Sequence, residues 1–283
     1  MGLFEGCLLA CDIDGTLISN GYINPANIEK IEFFMSEGGM FSLSTGRSAS
    51  AVLPILKFID KVSPCVVANG AMIYDFEHSK VVLQKCLPKN DFRIAKLAAA
   101  LDDIGIEAHA GLDTYVLKRS RETDDHEEYE ELNSIFIDYD KAAQIGCNKI
   151  IYLCRDQEQR ERLKSIIERE KTDSDFVETT AEIDGRTRYY YEQLPKGVTK
   201  LTAIKKLCYI YGIKKGAFFA IGDYYNDLEM IENADIGAAT AESPEAVKNK
   251  ADYTTVPCAC GAVADFIEFL TEKAKNRAFA VKI

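Results

Sequence analysis

Cys7-Leu8-Leu9-Ala10-Cys11-Asp12-Ile13-Asp14-Gly15-Thr16-Leu17 carries the first and strongest statement about this chain. An unbroken apolar run leads into Asp12, and no polar residue alternates within it. Such a run suits a parallel strand covered by helices on both faces. Gly15 and the small polar residues after it turn the chain. Two carboxylates, Asp12 and Asp14, therefore stand at the C-terminal end of a buried strand, the edge at which open α/β sheets bind ligands. Burying paired carboxylates without a cation costs several kcal/mol, so their placement predicts a bound cation. The plain alternative is an Asp-x-Asp-Gly surface turn. An EF-hand loop is excluded, because its remaining ligands and the Glu at its twelfth position are missing.

The pattern repeats outward from this strand. Residues 27–36 place Ile28, Ile31, Phe34 and Met35 at helical spacing, and Gly38-Gly39 ends the helix. A second strand is expected over 40–44, with a further helix opened by Thr45-Gly46-Arg47, and a third strand over 65–68 closed by the turn pair Asn69-Gly70. Strand and helix alternate, which signals an α/β, doubly wound parallel sheet. From about residue 86 the texture changes. A helix is expected over 91–104, short strands near 106–109 and 114–118, and an acidic helix over 124–131. A strand at 149–154, a charged helix over 157–171 and strands near 175–179 and 187–192 follow. Strands mixed with helices in this way suggest a separate α+β module. The parallel pattern resumes with a helix over 200–211, strands at 217–221, 236–239 and 252–256, a helix at 226–233 and an amphipathic helix at 262–275. The expected layout is a core of residues 1–85 and 192–283 split by an inserted domain of residues 86–191.

Three further junctions carry chemistry. Gly222-Asp223-Tyr224-Tyr225-Asn226-Asp227 also follows an apolar strand. A neighbouring parallel strand would bring Asp223 near Asp12 and create a cluster of hard oxygen ligands suited to Mg²⁺; the same residues also serve as helix caps. Ser44-Thr45-Gly46-Arg47 offers a hydroxyl and backbone N–H groups, which at a helix N-terminus make an anion site. Lys196 and Lys200, in Leu194-Pro195-Lys196-Gly197-Val198-Thr199-Lys200, offer a cation for a transferring phosphoryl group.

The order acid pair, Thr-Gly, Lys, acid pair resembles the haloacid dehalogenase superfamily, and more closely its Cof-type hydrolases. The matching motifs are Asp-x-Asp-Gly-Thr-Leu at 12–17, Thr-Gly-Arg at 45–47, Asn-Gly at 69–70, Lys-Gly-Val-x-Lys at 196–200 and Gly-Asp-x-x-Asn-Asp at 222–227. The resemblance implies a Rossmann-like core with an α+β cap that sets specificity. It implies a Mg²⁺-dependent phosphatase of small phosphate monoesters, sugar phosphates foremost, with nucleotide or cofactor phosphates as further candidates. By resemblance Asp12 is the nucleophile that forms an aspartyl-phosphate, and Asp14 is the general acid and base. Asp12, Asp14 through its backbone carbonyl, Asp223 and Asp227 serve the metal. Thr45, Gly46, Lys200 and Asn226 bind the phosphate. One position departs from the pattern: Glu242 stands where the family carries Asn, which bears on the support of the fourth-motif loop. Two rival functions share the motifs, a phosphomutase of the phosphomannomutase type and a non-catalytic protein that binds phosphate ligands. Hinges are expected near 84–88 and 192–196, stiffened by Pro88 and Pro195.

Composition agrees with such an enzyme. The chain has 283 residues, of which 47% are hydrophobic and 28% charged, and its formal net charge is -11. No Lys/Arg-rich run provides a basic face, so nucleic acid is not an expected partner. The expected partner is a small phosphate ester, and the expected state is a monomer or weak homo-oligomer. Nine scattered cysteines argue for reduced thiols and a cytoplasmic location, and Cys258-x-Cys260 is too solitary for a structural zinc site. No signal-peptide pattern opens the chain, the Gly2 myristoylation pattern fails at Gly6, and no apolar stretch is long enough for a membrane span. In the region 86–191, Arg186, Arg188, the Tyr189-Tyr190-Tyr191 run and Asp113-Thr114-Tyr115 are weighed as substrate contacts against ordinary strand packing.

Overall fold

The computed structural model describes residues 2–59, 61–183 and 185–275. The chain divides into two compact units. The first comprises residues 1–46, 55–82 and 199–283, and the second comprises residues 47–54 and 83–198.

The first unit is built on a five-stranded parallel sheet. Its strands lie side by side in the order Tyr253–Thr254, Ile236–Ala239, Phe218–Gly222, Leu8–Cys11 and Met40–Leu43. All four residues of Leu8–Cys11 are buried, as the unbroken apolar run requires. On one face the Lys200–Tyr211 helix packs Leu201, Ile204 and Leu207 against Leu8, Ala10, Phe218 and Ala220. Alternation sends Leu9, Cys11, Phe219 and Ile221 to the other face. The Pro25–Ser36 and Ala262–Lys275 helices pack on each other, pinned where the Asn27 side chain accepts the Ala264 N–H at 2.9 Å. Pro25 begins its helix at a position where a missing N–H costs nothing, and Asn24 caps it by accepting from the Ala26 N–H at 3.0 Å. No helix among the described residues is long and apolar enough to cross a membrane.

Two expectations are corrected here. The Cys65–Val67 strand does not join the parallel sheet as a full member. It pairs antiparallel with Met72–Asp75 in a three-stranded sheet and touches the main sheet by a single Ser44–Val66 bridge. Nor do Thr45, Gly46 and Arg47 open a helix. The next helix is the four-residue Ala49–Val52, capped by Ser48, so Thr45 precedes it and the chain bends at Gly46 and Arg47 before the helix starts. Ser48 rather than Thr45 has the capping geometry.

The second unit is a six-stranded sheet in the order Ile135–Phe136, Asp113–Lys118, Gly105–Ala110, Lys149–Cys154, Arg186–Pro195 and Ser174–Ile183. All pairings are antiparallel except the first, which is parallel. One face carries Ile106, Ala108, Ile150 and Tyr152 into an apolar core shared with the helices Phe92–Ala98, Tyr139–Ile145 and Gln157–Arg169. The expected helix over 91–104 is thus shorter, and the two last strands are longer than expected, each of ten residues. Tyr191 lies in this core, the Arg160 guanidinium sits over the Tyr189 ring at 5.1 Å, and Arg188 pairs with Asp125 at 2.7 Å. These residues of the 186–191 stretch are therefore engaged in packing.

The opposite face of that sheet is polar and buried. Glu107 accepts from His126 Nδ1 at 2.9 Å, while His126 Nε2 lies 3.6 Å from Glu130. Lys149 and Glu192 pair at 2.8 Å. Burial opposes each of these charges, but the attraction within the Glu107–His126–Glu130 triad outweighs it. His126 is raised to about 10, Glu107 is lowered to about 2 and Glu130 is also lowered. The His126 contribution to stability is complete below its ordinary value of 6.5 and is lost as pH rises through about 10. The Glu107 contribution is complete above 4.5 and is lost as pH falls to about 2. Removing one partner of a buried ion pair costs about 3–5 kcal/mol, and His126→Gln should show a loss of that order in denaturant unfolding at pH 6. The gap between variant and wild type should narrow at pH 10. An equal gap at both pH values would show that the imidazolium is not its source.

Candidate active site

The parallel register sets the site. Cys11 stands beside Ile221, and the Asp12 N–H donates to the Ile221 carbonyl at 3.0 Å. Asp12 and Asp223 consequently leave adjacent strand ends, although 211 positions (223 − 12) separate them in sequence. On the other side Cys11 stands beside Leu43, which puts Thr45 just beyond the neighbouring strand end. Lys200, the first residue of its helix, is 1% exposed. Its ammonium donates to Asp12 Oδ1 and to Asp227 Oδ1, each at 2.6 Å.

Two glycines permit this closeness. Gly15 has φ +78°, and a Cβ there would meet Asp223 Oδ2 at 2.4 Å. Gly70 has φ +101°, and a Cβ there would meet the Thr199 carbonyl oxygen at 2.2 Å. Only glycine fits both the left-handed backbone and the space. Gly15 lets Asp223 rest on the turn after the acid pair, and Gly70 lets the 68–70 turn press on the residue that caps the Lys200 helix.

Among the described residues, one group of three acids has ligand atoms close enough to share an ion. Asp12, Asp223 and Asp227 each offer an oxygen, all within 4.8 Å of one another. The Lys200 ammonium is the cation bonded to this group. Burial, then repulsion from Asp227, holds the Asp12 carboxyl well above the usual carboxylate range against the pull of Lys200. Burial and Asp227 push Asp223 up to about 7. Burial opposes the Lys200 charge, but Asp12 and Asp227 outweigh it and raise its pKa. An excess of buried negative charge built of hard oxygens fits a divalent cation. The three acids do not contribute alike. Both Asp227 oxygens are engaged, Oδ1 by Lys200 and Oδ2 by the N–H groups of Asp223 and Tyr224. Asp227 thereby shapes its own loop, while Asp12 and Asp223 keep an oxygen for an ion.

The remaining expected residues fall around this group. Asp14 is exposed, two residues beyond buried Asp12, and its carboxylate is not among the three. Thr45 is buried, with its N–H donated to Val66 and its carbonyl accepting from Asn69. The Asn69 side chain lies against Gly46, at 3.2 Å from where a Cβ would be, and accepts from Asn226 Nδ2 at 3.4 Å. Thr45, Gly46 and Asn226 are therefore tied through Asn69, a residue of the Asn-Gly motif for which the sequence alone suggests no contact. The signal was present in Asn69-Gly70, whose left-handed backbone at 68–70 aims the amide side chain. Thr16 was also assigned no task, yet its hydroxyl donates to Asp223 Oδ1 at 3.3 Å.

Known proteins resemble this chain in sequence and in fold. The haloacid dehalogenase-like hydrolase family matches residues 9–267. The 5-amino-6-(5-phospho-D-ribitylamino)uracil phosphatase YwtE of Bacillus subtilis is 28% identical, over 93% of this chain and 97% of its own. A Thermotoga maritima crystal structure superposes with a TM-score of 0.77 at 24% identity, covering 93% of this chain and 97% of that one. A structure described as a subclass IIB sugar phosphatase gives a TM-score of 0.77 at 20% identity, covering 93% and 98%. With a parallel-sheet core, acids at adjacent strand ends and a family match across nearly its whole length, the chain belongs to the haloacid dehalogenase-like hydrolases and is an enzyme of their phosphatase kind.

Proposed function

We propose that the chain hydrolyses small phosphate monoesters with Mg²⁺, through a phosphoryl group carried on Asp12. The observation that carries this reading is the buried Asp12 carboxylate held by Lys200 beside Asp223. In the first step an Asp12 oxygen bonds to phosphorus as the bond to the leaving alcohol breaks, and Asp14 gives that alcohol a proton. In the second step Asp14 takes a proton from water, the water oxygen bonds to phosphorus, and the Asp12–phosphorus bond breaks to release inorganic phosphate. Exposed Asp14 can exchange protons with solvent between steps, whereas buried Asp12 is shielded from competing water. A Mg²⁺ ion held by Asp12, the Asp14 carbonyl and Asp223 would neutralise charge on the phosphoryl oxygens. Lys200, Thr45, Gly46 and Asn226 bind those oxygens, and Asp227 holds Lys200 and the 223–227 loop in place.

Residues 86–191 act as the cap that selects the leaving group. Sugar phosphates are the favoured class, supported by the sugar phosphatase that shares the fold and by the phosphorylated ribityl chain in the name of the Bacillus subtilis relative. A panel of sugar, nucleotide and cofactor phosphates tests this. Release of inorganic phosphate that stops on chelation is expected. An isomerised sugar phosphate in its place would make the chain a mutase, and no turnover across the panel would overturn the proposal. Asp14→Asn should lower kcat by roughly 10²–10⁴, the usual contribution of a general acid–base. Single-turnover trapping should show both steps slowed.

A further inference from the structure

Glu242 is the residue at which the sequence departs from the family pattern, and it holds a chain of contacts that ends at the acid cluster. Both of its carboxylate oxygens accept from the Cys258 N–H, at 3.2 and 3.1 Å. The Cys258 thiol, 4% exposed, donates to the Thr16 carbonyl at 3.1 Å. The Thr16 hydroxyl donates to Asp223 Oδ1 at 3.3 Å. Thr16 belongs to the tight turn after the acid pair, where the N–H groups of Thr16, Leu17 and Ile18 all converge on the Ile13 carbonyl. The 257–261 segment that carries Cys258 is anchored a second time, where Asn24 Nδ2 donates to the Ala259 carbonyl at 3.0 Å. Asn24 holds the segment at Ala259, and Glu242 holds it at Cys258, the residue that touches the turn.

We propose that Glu242 is a positioning residue for the divalent-cation site, acting through Cys258 and Thr16 on Asp223. Hydrogen-bonded supports of a metal ligand fix its orientation, and their loss commonly weakens metal binding by about 10–100-fold. The role depends on reach: the carboxylate must span to the Cys258 N–H. The fourth-motif loop itself does not rely on Glu242, because Thr240 donates to the Gly222 carbonyl at 3.2 Å and shares a hydrogen bond with Ser243, also at 3.2 Å. Glu242 instead supports, through Cys258, the turn that follows Asp12. The proposal rests on the reading of Asp12 and Asp223 as cation ligands given above.

The test titrates Mg²⁺ against chelator-stripped full-length protein and reads the concentration that gives half-maximal thermal stabilisation, a signal independent of turnover. Glu242→Ala should raise that concentration about tenfold, with kcat falling more than KM rises. Glu242→Gln keeps the reach and one acceptor without the charge, and should stay close to wild type. Glu242→Asp keeps the charge but is one methylene short, and should behave like the alanine variant. Cys258→Ala should shift the midpoint the same way, and adding Glu242→Ala to it should shift it little further, since both act in one chain. An unmoved midpoint in both Glu242→Ala and Glu242→Asp would overturn the proposal. So would a wild-type midpoint in Glu242→Asp with a raised one in Glu242→Gln, because charge alone would then be acting. A wild type that Mg²⁺ does not stabilise also overturns it. Mg²⁺ stabilisation that shifts as expected, without hydrolysis of any ester, would remove the phosphatase reading and leave the positioning role intact.

Discussion

Asp12→Asn should lower phosphate release by roughly 10⁴–10⁶-fold, the scale on which removing a nucleophile acts when the surrounding site survives. The amide keeps the shape of the carboxylate but cannot displace an alkoxide from phosphorus. Asn can still accept from Lys200 Nζ, now 2.6 Å from Asp12 Oδ1. The substitution also removes one of three carboxylates crowded within 4.8 Å. The variant should therefore fold, and in the presence of a chelator its melting temperature should not fall far below wild type. Initial rates on the best ester of the panel and a melting curve check both halves. Normal turnover with a folded variant would remove Asp12 from the chemistry.

Lys200→Ala should act on stability and rate together. The ammonium bonds two buried carboxylates, and although Asp227 keeps two backbone N–H donors at its other oxygen, no second side-chain cation among the described residues pairs with either acid. Leaving them facing each other should cost about 3–5 kcal/mol, the usual penalty for an orphaned buried charge. Turnover should fall roughly 10²–10³-fold, as when one preorganised donor to a developing charge is removed. Mg²⁺ should recover part of the lost stability, because a divalent ion also offsets the Asp12–Asp227 repulsion. Denaturant unfolding with and without Mg²⁺ reads the first effect, and steady-state rates read the second. A variant as stable as wild type in chelator would mean the two carboxylates are not held ionised by Lys200.

Much of the core was legible because its chemistry sits where periodicity breaks. Asp12 and Asp223 each end an apolar run, and the expected helices over 200–211 and 262–275 coincide with Lys200–Tyr211 and Ala262–Lys275. The strand at 65–67 was legible as a strand but not as a member of a separate sheet, since an apolar run does not reveal its partners. Thr45-Gly46-Arg47 looked like a helix start because its residues suit one, yet Ser48 takes the cap. The ten-residue strands Ser174–Ile183 and Arg186–Pro195 were read short, because charged and aromatic residues blur alternation on a sheet polar on one face. The Glu107–His126–Glu130 triad was invisible for another reason. Its members come from a strand, a helix and the segment after that helix, and only the fold brings them together. Glu242 stands out in the sequence as an exception, but its partner Cys258 lies 16 positions away, in a three-residue helical turn, Cys258–Cys260, too short to carry a periodic signal.

The pairing of Leu8–Cys11 with Phe218–Gly222 also dictates a timetable. On a ribosome the first strand emerges early and can pair at once with Met40–Leu43, but its other edge waits until residue 222 has been made. Residues 83–198, nearly all of one compact unit, are synthesised in the interval. For that period a wholly apolar strand of the core presents an unpaired edge, the kind of surface that invites aggregation. Closing so long a loop is slow, since its entropy must be lost before any contact rewards it. Refolding should accordingly show the second unit's structure returning first and Mg²⁺ binding last, with the slow phase belonging to the arrival of Phe218–Gly222.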